Sequence, residues 1–338
     1  MSADPDAATS SGPIPDEAAR LIALDWGTSA MRAYLLGENG RVLETCAEPW
    51  GIMHVPGGDF AKAFRALVGP WRDRAPGLPA IASGMIGSRQ GWREAPYCPT
   101  PARLSDLAGS LTEIGTPDGP LFVVPGVAHQ GDIPNVMRGE ETEIFGALGR
   151  RPALAERSLL IHPGTHAKWV RIENGAIRDF ATYMTGEVFA VLKEHSILGR
   201  PARDAAQSGK DARTDWDAFE RGATTVRDGA CGLWPLLFSA RSLVLFDRLS
   251  AEASLDYLSG LLIGEEMRCA LRSPDAAADG PLALIGNAVL NARYARALSL
   301  FGAPEPEILE GSAVAGLWRI AVEAGLVAVP STSGAAGR

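Results

Sequence analysis

Residues 21–45 read LIALDWGTSAMRAYLLGENGRVLET, and residues 159–180 read LLIHPGTHAKWVRIENGAIRDF. The second stretch repeats the plan of the first. Each has an apolar run, a Gly-Thr turn (Gly27-Thr28, Gly164-Thr165), a second strand-like run, a Glu-Asn-Gly turn and a third run. Asn-Gly between alternating apolar stretches is the strongest short-range hairpin signal. The recurrence predicts two domains built on one plan, with the two glycine-hydroxyl hairpins facing each other across a cleft and holding a polyphosphate from both sides.

Working outward, residues 58–74 carry Phe60, Phe64, Leu67 and Trp71 at helical spacing. A strand from Pro79 to Ser83 and a Gly/Pro-rich loop follow, then a buried strand at 121–127 and a helix starting near Gly139. The Arg150-Arg151-Pro152 stretch is read as a domain boundary, separating 18–150 from 151–329. After the second meander the chain reads as mostly helical to about residue 272, and it closes with two strand-to-helix units, LALIG-NAVLNARYARAL and EILEG-SAVAGLWRIAV. Mixed α/β domains with helices around each sheet are expected. Residues 1–17 are polar, acidic and Pro/Ser-rich, without the basic and apolar regions of a signal peptide, so they read as a disordered tail; 330–338 read as a second loose end.

Composition narrows the function. At 338 residues, 46% hydrophobic and 21% charged, the chain suits two soluble globular domains, and no apolar stretch approaches a membrane span. A net charge of −8 argues against nucleic acid as a partner. Cys46, Cys98, Cys231 and Cys269 lack any CxxC or CxH organisation and read as buried thiols of a reducing cytosol. The chain has no GxxxxGK[ST], GxGxxG, GxSxG or HExxH, and Gly209-Lys210 is followed by Asp211. His162 and His166 straddle a Pro-Gly turn and cannot share a helix face as metal ligands.

Three places carry chemistry. Asp25-Trp26-Gly27-Thr28-Ser29, with Arg32 just beyond, ends a hydrophobic strand in an acid, a glycine and two hydroxyls. Glycine lets backbone amides approach phosphate, hydroxyls add donors, and the acid can hold the metal that neutralises phosphate charge. Pro163-Gly164-Thr165-His166-Ala167-Lys168 repeats the turn with a lysine, a residue the chain uses four times among its 32 Lys and Arg. Arg138-Gly139-Glu140-Glu141-Thr142-Glu143 opens a helix with three acids, which serve either the helix dipole or a hydroxyl's proton. Gly286-Asn287 and Gly311-Ser312 sit at strand-to-helix turns of the kind that line nucleotide sites.

Together these features resemble the sugar kinase/heat-shock protein 70/actin superfamily. Within it, ALDWGTSAMRAYL, the SGMIGS…GW…APY run at 83–97, NVMRGEETEIFGAL, PGTHAKWV, the TGE at 185–187 and SGLLIGEE at 259–266 resemble the 2-keto-3-deoxygalactonokinase family, in unbroken order from about residue 21 to 320. The resemblance implies two actin-like, ribonuclease-H-like domains and ATP-dependent phosphorylation of the 6-hydroxyl of 2-keto-3-deoxygalactonate, in galactonate breakdown. It implies Mg²⁺ held by Asp25 through water, the ATP phosphates at Gly27, Thr28, Ser29, Arg32, Gly164, Thr165 and Lys168, and adenosine at Gly286, Asn287, Gly311 and Ser312. In related kinases an Asp begins the helix before the second phosphate loop; here Glu140 is nearest its N-terminus, with Glu141 and Asp132 as alternatives. The sugar acid is expected at Gly84, Arg89, Trp92, Arg138 and Glu187; the loop with Arg89, Trp92 and Arg93 supplies the cation for its carboxylate and an apolar wall for its carbon face, with Arg138 as the other option for the cation. A cytoplasmic setting is expected, with a homodimer as one option for the assembly. A kinase for another sugar, for 2-keto-3-deoxygluconate or for a polyol is the alternative reading, and a non-catalytic sugar-acid sensor the second.

Overall fold

The computed structural model describes residues 19–206, 214–272 and 280–328. The two expected loose ends and Gly209-Lys210-Asp211 lie outside them. Strands β1 (Leu21–Trp26), β2 (Met31–Leu36) and β3 (Val42–Glu48) lead into helix α1 (Phe60–Arg74) and strand β4 (Ala80–Ser83). Short elements follow: β5 (Tyr97–Pro99), β6 (Ala102–Arg103), α2 (Leu104–Ala108), β7 (Thr112–Ile114), β8 (Leu121–Val123), β9 (Gly126–His129) and β10 (Asn135–Met137). Helix α3 (Glu140–Arg150) precedes the second meander, β11 (Arg157–His162), β12 (Ala167–Glu173) and β13 (Ala176–Tyr183). Then come α4 (Thr185–His195), α5 (Arg200–Ala206), α6 (Trp216–Asp228), α7 (Leu233–Leu236), α8 (Ser239–Leu245) and α9 (Ser254–Ala270). The chain ends with β14 (Leu282–Ile285), α10 (Ala288–Leu300), β15 (Glu307–Leu309) and α11 (Ser312–Glu323). Among the described residues no helix is long and apolar enough to cross a membrane.

The repeat is visible in the sheets. One has the order β3-β2-β1-β4-β8-β7, the other β15-β14-β11-β12-β13-β6. In each, an antiparallel meander (β1-β2-β3, β11-β12-β13) joins two further strands that run parallel to its first strand (β4 and β8, β14 and β15). Both therefore share the strand order 3-2-1-4-5, the actin-like arrangement expected, with one extra strand added at opposite edges. The Glu-Asn-Gly turns are alike in detail: Asn39 and Gly40 have φ of 57° and 74°, Asn174 and Gly175 φ of 52° and 74°. Two consecutive left-handed residues are what a tight hairpin turn demands, and Asn-Gly adopts them at least cost.

The described residues divide into two compact units. One comprises those through Pro96, Ala108–Pro125 and those from Leu317; the other comprises Tyr97–Leu107 and Gly126–Gly316. This differs from the expected division at Arg150-Arg151-Pro152. Helix α3 goes with the second unit because it packs on the start of α11 at backbone distance: a Cβ on Gly146 would lie 1.9 Å from the Ser312 carbonyl oxygen. The strand expected over 121–127 is also two strands. Pro125 has no N–H for a ladder, so β8 ends before it in the first unit and β9 begins after it in the second.

Each unit has its own core. In the first, Trp26, Phe64, Val68 and Trp71 are almost fully buried between the sheet and α1. In the second, α9 lies against the sheet with Ile263 and Met267, alongside Trp169, Phe219 and Tyr294.

Candidate functional site

In the first unit, β1 delivers Asp25 to the sheet edge where its ladder ends. Asp25 is the cross-strand partner of Arg32 on β2 and of Ser83 on β4. Its carboxylate lies 3.7 Å from the Arg32 guanidinium, with 35% of the side chain exposed. Gly27 closes the following turn by donating to the Ala30 carbonyl, and Thr28 and Ser29 are exposed at its tip. The turn is buttressed from behind: Ile52 N–H donates to the Gly27 carbonyl at 3.0 Å, and a Cβ on Gly51 would sit 2.2 Å from the Thr28 oxygen. Gly84 follows β4 with φ of 97°, its α-carbon against the Trp26 carbonyl, so a side chain there would be strained and obstructed. Among the described residues no cluster of three or more His, Cys, Asp or Glu is placed to hold a metal. One carboxylate beside a hydroxyl turn does suit Mg²⁺, which keeps waters and takes phosphate oxygens as its other ligands.

The loop after Gly84 separates two expected substrate contacts. Arg89 is exposed. Trp92 is half-buried: its ring stacks on Phe60 at 6.2 Å and meets Trp26 and Phe64 at 6.3 and 5.8 Å. It joins the core of the unit and anchors the loop that carries Arg89.

In the second unit, α3 and the β11–β12 turn assemble the remaining ionisable groups. Glu140 starts α3, accepts a hydrogen bond from the Arg138 N–H at 2.9 Å and keeps 20% of its side chain exposed. Lys168, expected at the phosphates, is only 3% exposed; its Nζ lies 3.6 Å from Glu140 Oε1. Burial lowers the lysine pKa, and Glu140 and Glu141 partly offset it. The exposed parts of this turn are Thr165 and His166, the latter paired with the expected substrate ligand Glu187. Glu143 lies 3.1 Å from His162 Nε2 without hydrogen-bond alignment, so the contact is electrostatic. Burial opposes the His162 proton, yet Glu143 holds the imidazole pKa above its usual value. Arg138 lays its guanidinium 4.3 Å over the Tyr97 ring. Asp132 is exposed on the β9–β10 loop.

Glu141 differs from its neighbour. It is fully buried, and its two oxygens accept the Gly139 N–H at 2.9 and 2.7 Å and the Thr142 hydroxyl at 3.2 Å. Burial, then the charge of Glu140, push its pKa up to about 7 against the pull of those bonds. A folded-state pKa above the unfolded 4.5 means a stabilising proton, present below pH 4.5 and lost as pH rises through 7. The parent chain should therefore lose about 3 kcal/mol of stability across that window that Glu141→Gln keeps. Urea melts of both at pH 4.5 and about pH 8 measure the difference; parallel pH dependences would contradict it.

At the strand-to-helix turns, Asn287 has a local capping role and Ser312 is closed to solvent. Gly286 has φ of 121°, and Asn287 caps α10, its side chain accepting from Val289 N and Leu290 N. Gly311 is exposed with φ of 66°, but Ser312 is fully buried against α3 and presents no hydroxyl to a ligand. A pocket of about 130 Å³ borders the Gly164 turn instead, lined by Thr185, Gly186, Leu262, Leu290, Arg293 and Tyr294 among others. Sequence reading did not single out Gly186. Its α-carbon seats on the turn, where a Cβ would come 2.3 Å from the Gly164 oxygen, and Glu187 N–H donates to the Thr165 carbonyl at 2.9 Å. Gly51 and Gly186 thus buttress the two turns in the same way.

The family model for 2-keto-3-deoxy-galactonokinase matches residues 25–320. The 2-dehydro-3-deoxygalactonokinase of Escherichia coli (strain K12) is 36% identical over 286 residues, covering 84% of this chain and 91% of the relative. A Rhizobium meliloti (strain 1021) relative, DgoK1, is 36% identical over 289 residues, covering 83% and 89%. A crystal structure of a 2-dehydro-3-deoxygalactonokinase-family protein from Sinorhizobium meliloti matches with a TM-score of 0.80 at 32% identity, covering 89% of this chain and 98% of that one. The chain belongs to the 2-keto-3-deoxy-galactonokinase family.

Proposed function

We propose that the chain transfers the γ-phosphoryl group of ATP to the 6-hydroxyl of 2-keto-3-deoxygalactonate, giving ADP and the 6-phosphate. Family membership across residues 25–320 carries the reading, and the chemistry of each unit supports it. The first unit supplies Asp25 at the end of β1, the open Gly27–Ser29 turn and Arg32. Asp25 would hold the Mg²⁺ of MgATP, whose charge would offset that of the phosphates. The second unit supplies the Gly164–Thr165 turn for the nucleotide phosphates and the adjoining apolar pocket for the base.

Glu140 takes the proton of the 6-hydroxyl as that oxygen forms its bond to phosphorus and the bond to ADP breaks. Of the three candidate acids, Glu141 has no exposed atom and spends its oxygens on the helix start. Asp132 sits on the exposed β9–β10 loop. Glu140 alone combines partial exposure with a lysine partner. Lys168 thereby acts on the base and is not a direct phosphate ligand.

Arg89 clamps the sugar acid's carboxylate. Arg89→Ala should raise KM for 2-keto-3-deoxygalactonate by about ten- to hundredfold, the weight of a charge-assisted hydrogen bond, and leave KM for ATP within about twofold. The proposed function itself is tested by coupled ADP release over a panel of 2-keto-3-deoxy sugar acids, glycerol, xylulose and glucose. Preference for the galactonate derivative is expected. Faster turnover of a neutral sugar or polyol would overturn the assignment.

A further inference from the structure

Helix α9 carries a buried acid that none of the roles above uses. Glu266 is 2% exposed. Its Oε1 accepts from Trp169 Nε1 at 2.7 Å; its Oε2 accepts from the Tyr294 hydroxyl at 2.8 Å and from the Thr185 hydroxyl. Trp169 and Tyr294 are themselves 5% and 2% exposed. Burial raises the Glu266 pKa, while these three bonds work the other way. A carboxylate in an apolar core is costly unless its oxygens are filled, and here neutral donors from three other elements fill them.

Each donor adjoins the nucleotide turn. Trp169 follows Lys168 on β12 and faces α9, so fixing the indole fixes the strand that presents the lysine to α3. Thr185 precedes Gly186, the residue seated on Gly164 and Thr165. Tyr294 stands on α10 and lines the pocket beside Gly164 together with Thr185 and Gly186. A leucine would fill the volume of Glu266 but could hold none of the three.

We propose that Glu266 is the positioning residue of the second nucleotide turn: its carboxylate ties β12, the start of α4 and α10 together, so that the Gly164–Thr165 turn and its pocket keep the shape that binds nucleotide. This rests on the reading of that turn as a nucleotide site. It requires Glu266 to act on nucleotide affinity without touching the ligand.

The test uses the full chain, with ADP as the calorimetric probe, steady-state KM for each substrate and a thermal midpoint for each variant. Glu266→Met should weaken ADP binding and raise KM for ATP by about tenfold or more, with KM for the sugar acid within about twofold. Glu266→Gln keeps one acceptor oxygen for the Trp169 N–H and can donate its amide N–H to the Tyr294 and Thr185 hydroxyl oxygens, so it should recover affinity to within about threefold of the parent. A purely structural role would lower the thermal midpoint and the active fraction but leave the ADP affinity of folded protein unchanged, and that result overturns the proposal. If Glu266→Met does not fold, Trp169→Phe, which removes a donor to Glu266 that does not line the pocket, decides by the same readout. A parent chain that binds no ADP would sink the nucleotide reading and this role with it; a parent that binds ADP while the variants bind equally well would sink only the role of Glu266.

Discussion

Glu140→Gln is expected to lower kcat by about two to four orders of magnitude, the weight of a general base in proton transfer, with both KM values near the parent's. Gln has nearly the shape of Glu, so the Arg138 N–H keeps its acceptor and the start of α3 is preserved. What goes is the negative oxygen 3.6 Å from Lys168, and with it the capacity to take the hydroxyl proton. Glu141→Gln and Asp132→Asn should retain turnover within about tenfold, since Glu141 is buried with its oxygens spent on the helix start and Asp132 lies on the exposed β9–β10 loop, not at the start of α3. If the loss falls on Glu141 or Asp132 instead, the base is misassigned. If it falls on none of the three, α3 carries its acids for its dipole alone.

Asp25→Ala is expected to remove at least about three orders of magnitude of turnover, comparable with deleting other groups that stabilise charge in phosphoryl transfer. Asp25 is partly exposed at the end of β1, and its removal leaves the Arg32 guanidinium without the acid opposite it in the ladder. The unit should still fold, because the core depends on Trp26, Phe64 and Trp71. Turnover at saturating MgATP measures the effect, and a rate within about tenfold of the parent would show that the Gly27–Ser29 turn is an ordinary hairpin tip.

The local features were readable because they rest on neighbouring residues. Asn39-Gly40 and Asn174-Gly175 fold into left-handed turns that their own backbones favour, and the alternating runs around them form the expected meanders. The α1 stripe of Phe64, Leu67 and Trp71 is buried as its spacing requires. Proximity across long separations was not readable. Helix α3 belongs with the second unit through contact between Gly146 and Ser312, which no local pattern reports. The same contact buries the Ser312 hydroxyl.

Site residues divide on the same principle. Asp25, Thr28, Ser29 and Thr165 stand exposed or partly exposed at strand ends, where a strand-turn reading puts them. Trp92 looked exposed because its loop is rich in Arg and Gly, yet three distant aromatic rings enclose it. Lys168 looked like a hairpin-tip charge, but strand alternation turns it toward α3 and Glu140. Glu266 sat inside a string that resembled the family without suggesting a role, since its meaning lies in donors from Trp169, Thr185 and Tyr294.

The most direct test is to identify the product. The chain is incubated with MgATP and 2-keto-3-deoxygalactonate, and the phosphorus nucleus of the new ester is correlated with its carbon-bound protons by NMR. The account predicts one phosphomonoester coupled to the two protons at C6, formed in equal amount with ADP. Phosphate on another hydroxyl, or ADP and inorganic phosphate without a sugar ester, would contradict it.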